Sequence, residues 1–311
     1  MDLSIVTTMY NSAPYLEEFY NRICAEANKI TSDYEIIFVN DGSPDNSLDV
    51  SISIFNRDKR VKVIDLSRNF GHHKAIMTGL AHARGKFTFL IDCDLEEEPE
   101  LLGQFYAECK SSGADVVYGT QPKRKGKFFE QMSGVFFYWL FNRFSSHPLP
   151  RNLLTVRLMS RRYISGLLEH KERETIIAGL WAITGFKQVP FSVKKRDTGN
   201  TTYDFRKRVA NFVNGITAFS STPLVYIFYL GCAISFVSGI AAFYLIVRRL
   251  FFGVLLAGWP SLIVSVWLLG GLTLFCLGVI GIYLSKVFME TKQRPSTIIK
   301  EIYDRSGRSE N

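Results

Sequence analysis

Two short acidic stretches hold the residues best suited to chemistry. Asp92-Cys93-Asp94 follows the apolar run FTFLI, and Asn40-Asp41-Gly42-Ser43-Pro44-Asp45 follows EIIFV. Two carboxylates at i and i+2 can both reach one hard divalent cation where the chain bends at a strand end. A cation held there would neutralise a diphosphate leaving group. Alone, an Asp-x-Asp is usually a solvated loop; its place directly after a strand, beside a second strand ending in Asp41, turns the reading toward a metal site. Arg68 and the pair His72-His73 follow a third apolar run, VKVIDL. Lys123-Arg124-Lys125 forms a basic cluster after a fifth, DVVYG, and Arg196 opens the polar stretch RDTGNTTY that reaches Tyr203. A charge run by itself is a solvated face, but both basic clusters suit an enzyme that gathers anionic groups at one place, because fixed cations lower their mutual repulsion.

These residues need a scaffold, and the first 120 residues spell one out. LSIVTT, EIIFV, VKVIDL, FTFLI and DVVYG are short apolar runs, separated by helical patterns around 16–29, 47–57, 74–83 and 99–111. Such alternation predicts βαβ units and a mainly parallel sheet. Ligands of open sheets bind beyond the carboxyl ends of the strands, which is where the acidic stretches lie.

The remainder of the chain is different in kind. Leu224 to Val247 and Leu262 to Leu284 are nearly uncharged stretches of Leu, Ile, Phe, Gly and Ala, each long enough to cross about 30 Å of hydrocarbon as a helix. Trp259 and Pro260 in the connection suit an interface and a turn. Arg206, Lys207 and Arg208 precede the first span, and Lys286, Lys292 and Arg294 follow the second, against Arg248 and Arg249 between them. The positive-inside rule then places both ends in the cytoplasm, as expected of a multi-pass protein of the inner membrane. Residues 204–221 mix a basic start with Val209, Phe212, Val213 and Ile216 at helical spacing, the pattern of a helix lying on the bilayer surface. The expected layout is a catalytic domain over 1–203, a juxtamembrane helix over 204–223, two transmembrane helices over 224–285 and a cytoplasmic tail over 286–311.

Composition narrows the classes. Of 311 residues, 47% are hydrophobic, which excludes general disorder, and the net charge of +8 calls for an acidic partner. A nucleic-acid binder would explain the charge but not the apolar spans. The five cysteines show no paired metal-ligand spacing and imply no disulfide framework, and MDLSIVTTMYNS reads as a first strand, not a secretory signal.

The pieces VTTMYN, VNDGSPDNS, LSRNFGHHKAIMTGLAHARG and LIDCDLEEEPE, followed by paired spans and GIYLSKVFMETKQRPSTII, resemble glycosyltransferase family 2. Within it they are similar to the polyprenyl-phosphate branch, dolichyl-phosphate mannose synthases and bacterial undecaprenyl-phosphate glucosyltransferases. The resemblance covers essentially the whole chain. It implies a glycosyltransferase-A fold (Rossmann-like, mainly parallel) and transfer of a sugar from a nucleotide sugar, a UDP-sugar, to a polyprenyl phosphate at the membrane. It further implies that Thr8, Tyr10, Asn11 and Asp41 contact the donor nucleotide, with Arg68 and His72 or His73 at the pocket mouth. Asp92 and Asp94 would hold the diphosphate through Mg2+ or Mn2+. Arg196 aligns with the family's Arg-x-x-Gly-x-Ser element, so that Arg196, Arg124, Thr201 and Tyr203 would meet the acceptor phosphate. A homo-oligomer is compatible with these features, and no nucleic-acid partner is expected.

The chain departs from the family pattern in places. Ser12 stands where an acidic residue is common, Asn40 replaces a frequent Asp, and Gln121 a frequent Arg. PRNLLTVRLM (Pro150 to Met159) replaces Asp-x-Gly-Asp-Phe-Arg-Leu, with Asn152 and Thr155 at the acidic positions. A phosphate acceptor is already anionic near neutral pH, so transfer to it needs positioning and charge stabilisation but no dedicated base. Two other readings compete: an anchored family 2 transferase acting on a glycan hydroxyl, with Glu96, Glu97 or Glu98 as base, and a non-catalytic membrane scaffold.

Overall fold

The computed structural model describes residues 1–121, 153–172, 177–193, 222–252 and 258–305. Arg124, Arg196, Thr201, Tyr203 and the expected surface helix over 204–221 lie outside them. The chain divides into two compact units, one comprising Met1–Tyr138, His147–Tyr203 and Arg294–Asn311, the other Trp139–Ser146 and Asp204–Gln293.

In the first unit the elements run β1 (Leu3–Met9), α1 (Leu16–Ile30), β2 (Tyr34–Asn40), α2 (Ser47–Arg57), β3 (Val61–Leu66), α3 (His72–His82), β4 (Phe87–Leu90), α4 (Leu101–Ser112), β5 (Val116–Thr120), β6 (Leu153–Ser160), α5 (Arg161–Glu169), α6 (Ile177–Ile183), β7 (Gln188–Ser192) and, after the apolar segment, β8 (Ile299–Tyr303). One sheet orders them β7-β5-β6-β4-β1-β2-β3-β8. β4, β1, β2 and β3 are mutually parallel, as are β5 and β7. β6 runs antiparallel between β4 and β5, and β8 antiparallel to β3. The mainly parallel α/β fold is therefore as the alternation of runs predicts.

Every residue of β1, β2 and β3 is buried, which is why these strands read as unbroken apolar runs: helices cover both faces. On one face Ile5, Phe38, Phe89, Val117 and Leu158 pack with Phe19, Ile23 and Phe105 of α1 and α4. On the other, α3 lies so close that a methyl group at Gly79 would sit 2.5 Å from Val6 Cγ1 and 3.0 Å from Val39 Cγ2. That close approach sets the depth of α3 and hence the position of its first residue, His72.

β8 is a strand that the sequence reading left within the tail. It closes the β3 edge, and its neighbours tie in at several points: Ser67 N–H donates to Ile298 O at 2.9 Å, and the Thr78 and Thr297 hydroxyls meet at 2.9 Å. Lys62, almost fully buried, pairs with Asp304 at 2.9 Å.

The second unit contains α7 (Thr222–Phe252) and α8 (Trp259–Thr291). Among the described residues one stretch, Ser265–Thr291, is long and apolar enough to cross a membrane; the apolar run Leu224–Ser238 in α7 is shorter. Trp267, Leu274 and Phe275 are exposed along α8, an apolar surface that water would penalise. All five cysteines are free.

Replacing Asp304 with Ala strands a buried ammonium at Lys62 and should destabilise the full chain by about 2 kcal/mol. Thermal or urea unfolding in detergent checks this; a variant as stable as the parent would show that the pair does not anchor the edge.

Candidate active site

The loops after β1, β2 and β3 converge at the carboxyl edge of the sheet, and hydrogen bonds to two carboxylates hold them there. Asp41, 3% exposed, accepts from the backbone N–H groups of Phe70 at 2.7 Å and Gly71 at 3.0 Å. Burial pushes its carboxyl up from the usual range, against the opposing pull of those two amides. Gly42 makes the approach of the two loops sterically feasible: its φ is +60°, and a methyl group there would lie 2.4 Å from Asn69 N. Asp45 accepts from Ser43 Oγ at 2.5 Å, Ser47 Oγ at 2.6 Å, Ser47 N at 3.1 Å and Ala13 N at 3.1 Å. Burial alone would raise this carboxyl, but the two hydroxyls and two amides outweigh it and hold it at about 2.

The first loop is shaped by the same partners. Asn11 adopts φ 54°, a left-handed conformation that Asn tolerates, and its N–H donates to Ser43 Oγ at 2.8 Å. Ser12 N–H donates to Ser47 Oγ at 3.0 Å, and Ser12 Oγ accepts from Tyr10 N at 3.1 Å. The serine that departs from the family pattern is therefore a bridge between loops. Tyr10, 50% exposed, stands at the rim with its ring open to solvent.

A second chain of contacts crosses from β1 to β4. Thr8 Oγ1 lies 3.0 Å from His72 Nδ1, and His72 Nε2 lies 3.6 Å from Asp92 Oδ1. The Thr8 hydroxyl can donate to or accept from this ring, and at 3.6 Å the Asp92 contact is electrostatic, longer than a hydrogen bond. Cys93, between the two aspartates, turns inward and donates from Sγ to Thr8 O at 3.1 Å, and burial pushes its thiol up to about 12, which makes it inert packing. Asp94 accepts from Glu96 N–H at 3.0 Å, a hydrogen bond that closes a local turn just beyond the end of β4. Arg68 folds back, with Nη1 donating to Asn69 O at 2.9 Å and its guanidinium 4.1 Å from the Phe70 ring centroid.

Asp92 and Asp94 are both half-buried, with a donor set of hard carboxylate oxygens, and this suits Mg2+ or Mn2+. Among the described residues no three His, Cys, Asp or Glu side chains cluster to hold an ion unaided. Asp92 and Asp94 would supply two of the ligands of such an ion.

Thr8, His72 and Asp92 are brought together, and Asp94 lies beside them; Tyr10, Asn11 and Arg68 occupy the rim, while Asp41 serves the backbone of the facing loop. Sequence reasoning named Asp45 and Ser12 but assigned neither of them a role in joining the loops. The spacing Ser43-x-Asp45-x-Ser47, a carboxylate flanked by hydroxyls just before a helix, is the signal that points to the first.

The sign of the Asp45 effect follows from its lowered value. Its hydrogen bonds contribute stability above about pH 4, the unfolded value, and lose it as pH falls toward about 2. Asp45→Ala should cost about 1–2 kcal/mol at neutral pH, and the gap between its melting curve and the parent's should narrow steadily below pH 4. A gap independent of pH would assign the loss to packing.

Comparison with known proteins identifies the family. The model of the family described as "Glycosyl transferase family 2" matches residues 4–165. A Mycobacterium tuberculosis protein named "Putative glycosyltransferases" is 57% identical over 97% of this chain and 89% of its own length. The bactoprenol glucosyl transferase of Shigella phage SfV is 30% identical over 96% of this chain and 98% of its own, and an Escherichia coli homologue of that name is likewise 30% identical over 97% and 99%. With a family match over more than half its length and relatives that fit the polyprenyl-phosphate branch, the chain belongs to glycosyl transferase family 2.

Proposed function

We propose that this protein transfers a sugar from a nucleotide diphosphate sugar, a UDP-sugar, to polyprenyl (undecaprenyl) phosphate at the inner face of the cytoplasmic membrane. The observation that carries the reading is the union in one family 2 chain of the Asp92–Asp94 pair at the end of β4 with a helical stretch fit to cross a bilayer. Relatives named bactoprenol glucosyl transferases support the acceptor class.

In this reading Tyr10, Asn11 and the loop held by Asp41 receive the nucleoside end of the donor. A divalent ion bound by Asp92 and Asp94 supplies charge neutralisation of the departing diphosphate. Arg124 and Arg196, with Thr201 and Tyr203, aim an acceptor phosphate oxygen at the anomeric carbon, and one in-line displacement inverts its configuration. The phosphate is its own nucleophile. The rival that adds sugar to a glycan hydroxyl needs a base, and Glu97, one of its three candidates, is only 2% exposed and acts electrostatically on a buried arginine. That environment fits a structural charge better than a proton acceptor open to substrate.

Both α7 and α8 cross the bilayer in this proposal, with both ends on the cytoplasmic side. β8 follows α8 yet pairs with β3, which supports a return of the chain to the side it left and hence an even number of crossings. The excess of Lys and Arg outside the spans supports the same orientation.

The test is transfer from a panel of radiolabelled nucleotide sugars to undecaprenyl phosphate, with mass spectrometry of the lipid product. Asp94→Ala should lower turnover at least about a hundredfold, near 3 kcal/mol of transition-state stabilisation, and excess EDTA should abolish it. Full activity in EDTA would end the metal assignment; a product linked through a glycan hydroxyl would end the acceptor assignment.

Arg196 is assigned to phosphate because a planar fork of donors matches it as a lysine cannot. Arg196→Lys should retain the parent's melting temperature while losing about tenfold or more in kcat/KM for the lipid, with the donor KM nearly unchanged. Unchanged kinetics would remove Arg196 from the site, and a lowered melting temperature with proportionate activity loss would make it structural.

A further inference from the structure

The strand β8 meets β3 with one irregularity, close to the rim of the site. The register passes from Asp65 opposite Glu301 to Leu66 opposite Ile299, which leaves Lys300 as an extra residue. An extra residue of this kind is a β-bulge, a feature that re-aims side chains at sheet edges. In an unbroken ladder Lys300 would stand opposite Leu66 and alternate to the other face from Asp65. Instead its Nζ lies 3.3 Å from Asp65 Oδ2, and the carboxylate it meets is only 5% exposed.

Asp65 passes that contact inward. It is paired directly with Asn40 across β3 and β2, so the two side chains share a face of the sheet. Asn40 Nδ2 donates to Asp65 Oδ1 at 2.8 Å. A carboxylate only accepts, so it takes the NH2 end of the Asn40 amide and leaves the carbonyl end, Oδ1, to accept from Ser43 N at 3.2 Å. Ser43 Oγ in turn accepts from Asn11 N at 2.8 Å and donates to Asp45 at 2.5 Å. A continuous series of polar contacts thus runs from the tail, through Lys300, Asp65, Asn40 and Ser43, to the loops after β1 and β2.

A second contact from the tail reaches the loop after β3. Ile298 O accepts from Ser67 N, at the start of the loop whose Phe70 and Gly71 amides hold Asp41. Both sides of the rim therefore rest on residues 298–300, which follow the apolar helix α8 in the chain. An exposed ion pair usually contributes little, but here one partner is buried, and removing the other leaves a buried charge undercompensated.

We propose that Lys300 is a positioning residue for the donor: with Asp65 and Asn40 it holds the Ser43 turn, so that the nucleoside diphosphate end of a nucleotide sugar binds tightly only while the tail strand is docked. The assignment rests on the donor reading above, which places the nucleoside against Asn11 and its neighbouring loop. Without the ammonium, the Asp65 carboxylate turns toward water and releases the Asn40 amide, and the Ser43 turn loses the acceptor that fixes it. The coupling works in both directions, because bound nucleotide favours the docked tail as much as the docked tail favours nucleotide.

Calorimetric titration of the full chain in detergent with UDP and with GDP, each in the presence of Mn2+, tests the assignment. Lys300→Met keeps the apolar stem and removes the charge, and should weaken binding of the nucleotide that the parent takes by about fivefold. The donor KM should rise to match, with kcat for transfer within about twofold of the parent and the melting temperature within about 3 °C. Lys300→Arg, which restores a cation, should recover the affinity to within about twofold. Asn40→Ala should weaken binding as well, and adding Lys300→Met to it should cost less than about twofold more, because the two residues act in series. Unchanged affinity in Lys300→Met, or full additivity with Asn40→Ala, would overturn the proposal and leave the donor reading intact. So would a loss of affinity that tracks a fall in melting temperature and is not recovered by Lys300→Arg. A parent that binds neither nucleotide would end the donor reading, and this inference with it.

Discussion

Carboxylates at the ends of parallel strands face a shared problem: they are drawn below the protein surface by the sheet, yet each must find hydrogen-bond donors. Asp41 finds them in the Phe70 and Gly71 amides, and Asp45 in Ala13, Ser43 and Ser47. In doing so they join the loops after β1, β2 and β3 into one rigid rim. Tyr10, Asn11 and Arg68 hold their places because that rim does. The rim residues are thus positioned by carboxylates whose hydrogen-bonding capacity goes largely to the neighbouring loops.

Much of this scaffold was legible from the residues alone. The runs that became β1 to β5, and the helices between them, carry local signals: unbroken β-branched and aromatic stretches buried on both faces, then amphipathic periods. β6 escaped notice because LLTVRLMS has an arginine at its centre and pairs antiparallel with strands more than 30 residues away. β8, IKEIY, is a short edge strand whose two charged residues, Lys300 and Glu301, are adjacent, so it lacks the alternation of a half-buried strand and reads like an ordinary solvated tail. At the site, the Asp92–Asp94 pair was visible through spacing. The bridges made by Ser12 and Asp45 were not, since each links positions more than 30 residues apart and no periodicity records it.

The departures of the chain from its family pattern acquire physical meaning in the same terms. Ser12, lacking a carboxylate, joins two loops through its backbone N–H, which donates to Ser47 Oγ, while its hydroxyl accepts from Tyr10 N within its own loop. Asn40 donates from Nδ2 to Asp65 Oδ1 at 2.8 Å, where an aspartate would meet Asp65 as a like charge. Thr155, at a position that is acidic in the family pattern, offers Arg157 a backbone carbonyl at 3.2 Å. Each change removes negative charge from around the carboxyl edge of the sheet.

The pairing of β8 with β3 has a bearing on how the molecule is made. During synthesis the strands β1 to β7 leave the ribosome before either long apolar helix, with the open edge of β3 exposed and Lys62 lacking Asp304. Only after α7 and α8 have been synthesised does the chain supply Ile299–Tyr303 to cover that edge. Completion of the sheet thereby waits on the last part of the chain, and a molecule stalled before it carries a sheet open on one side, marked for chaperones or proteases by the strand it has yet to receive.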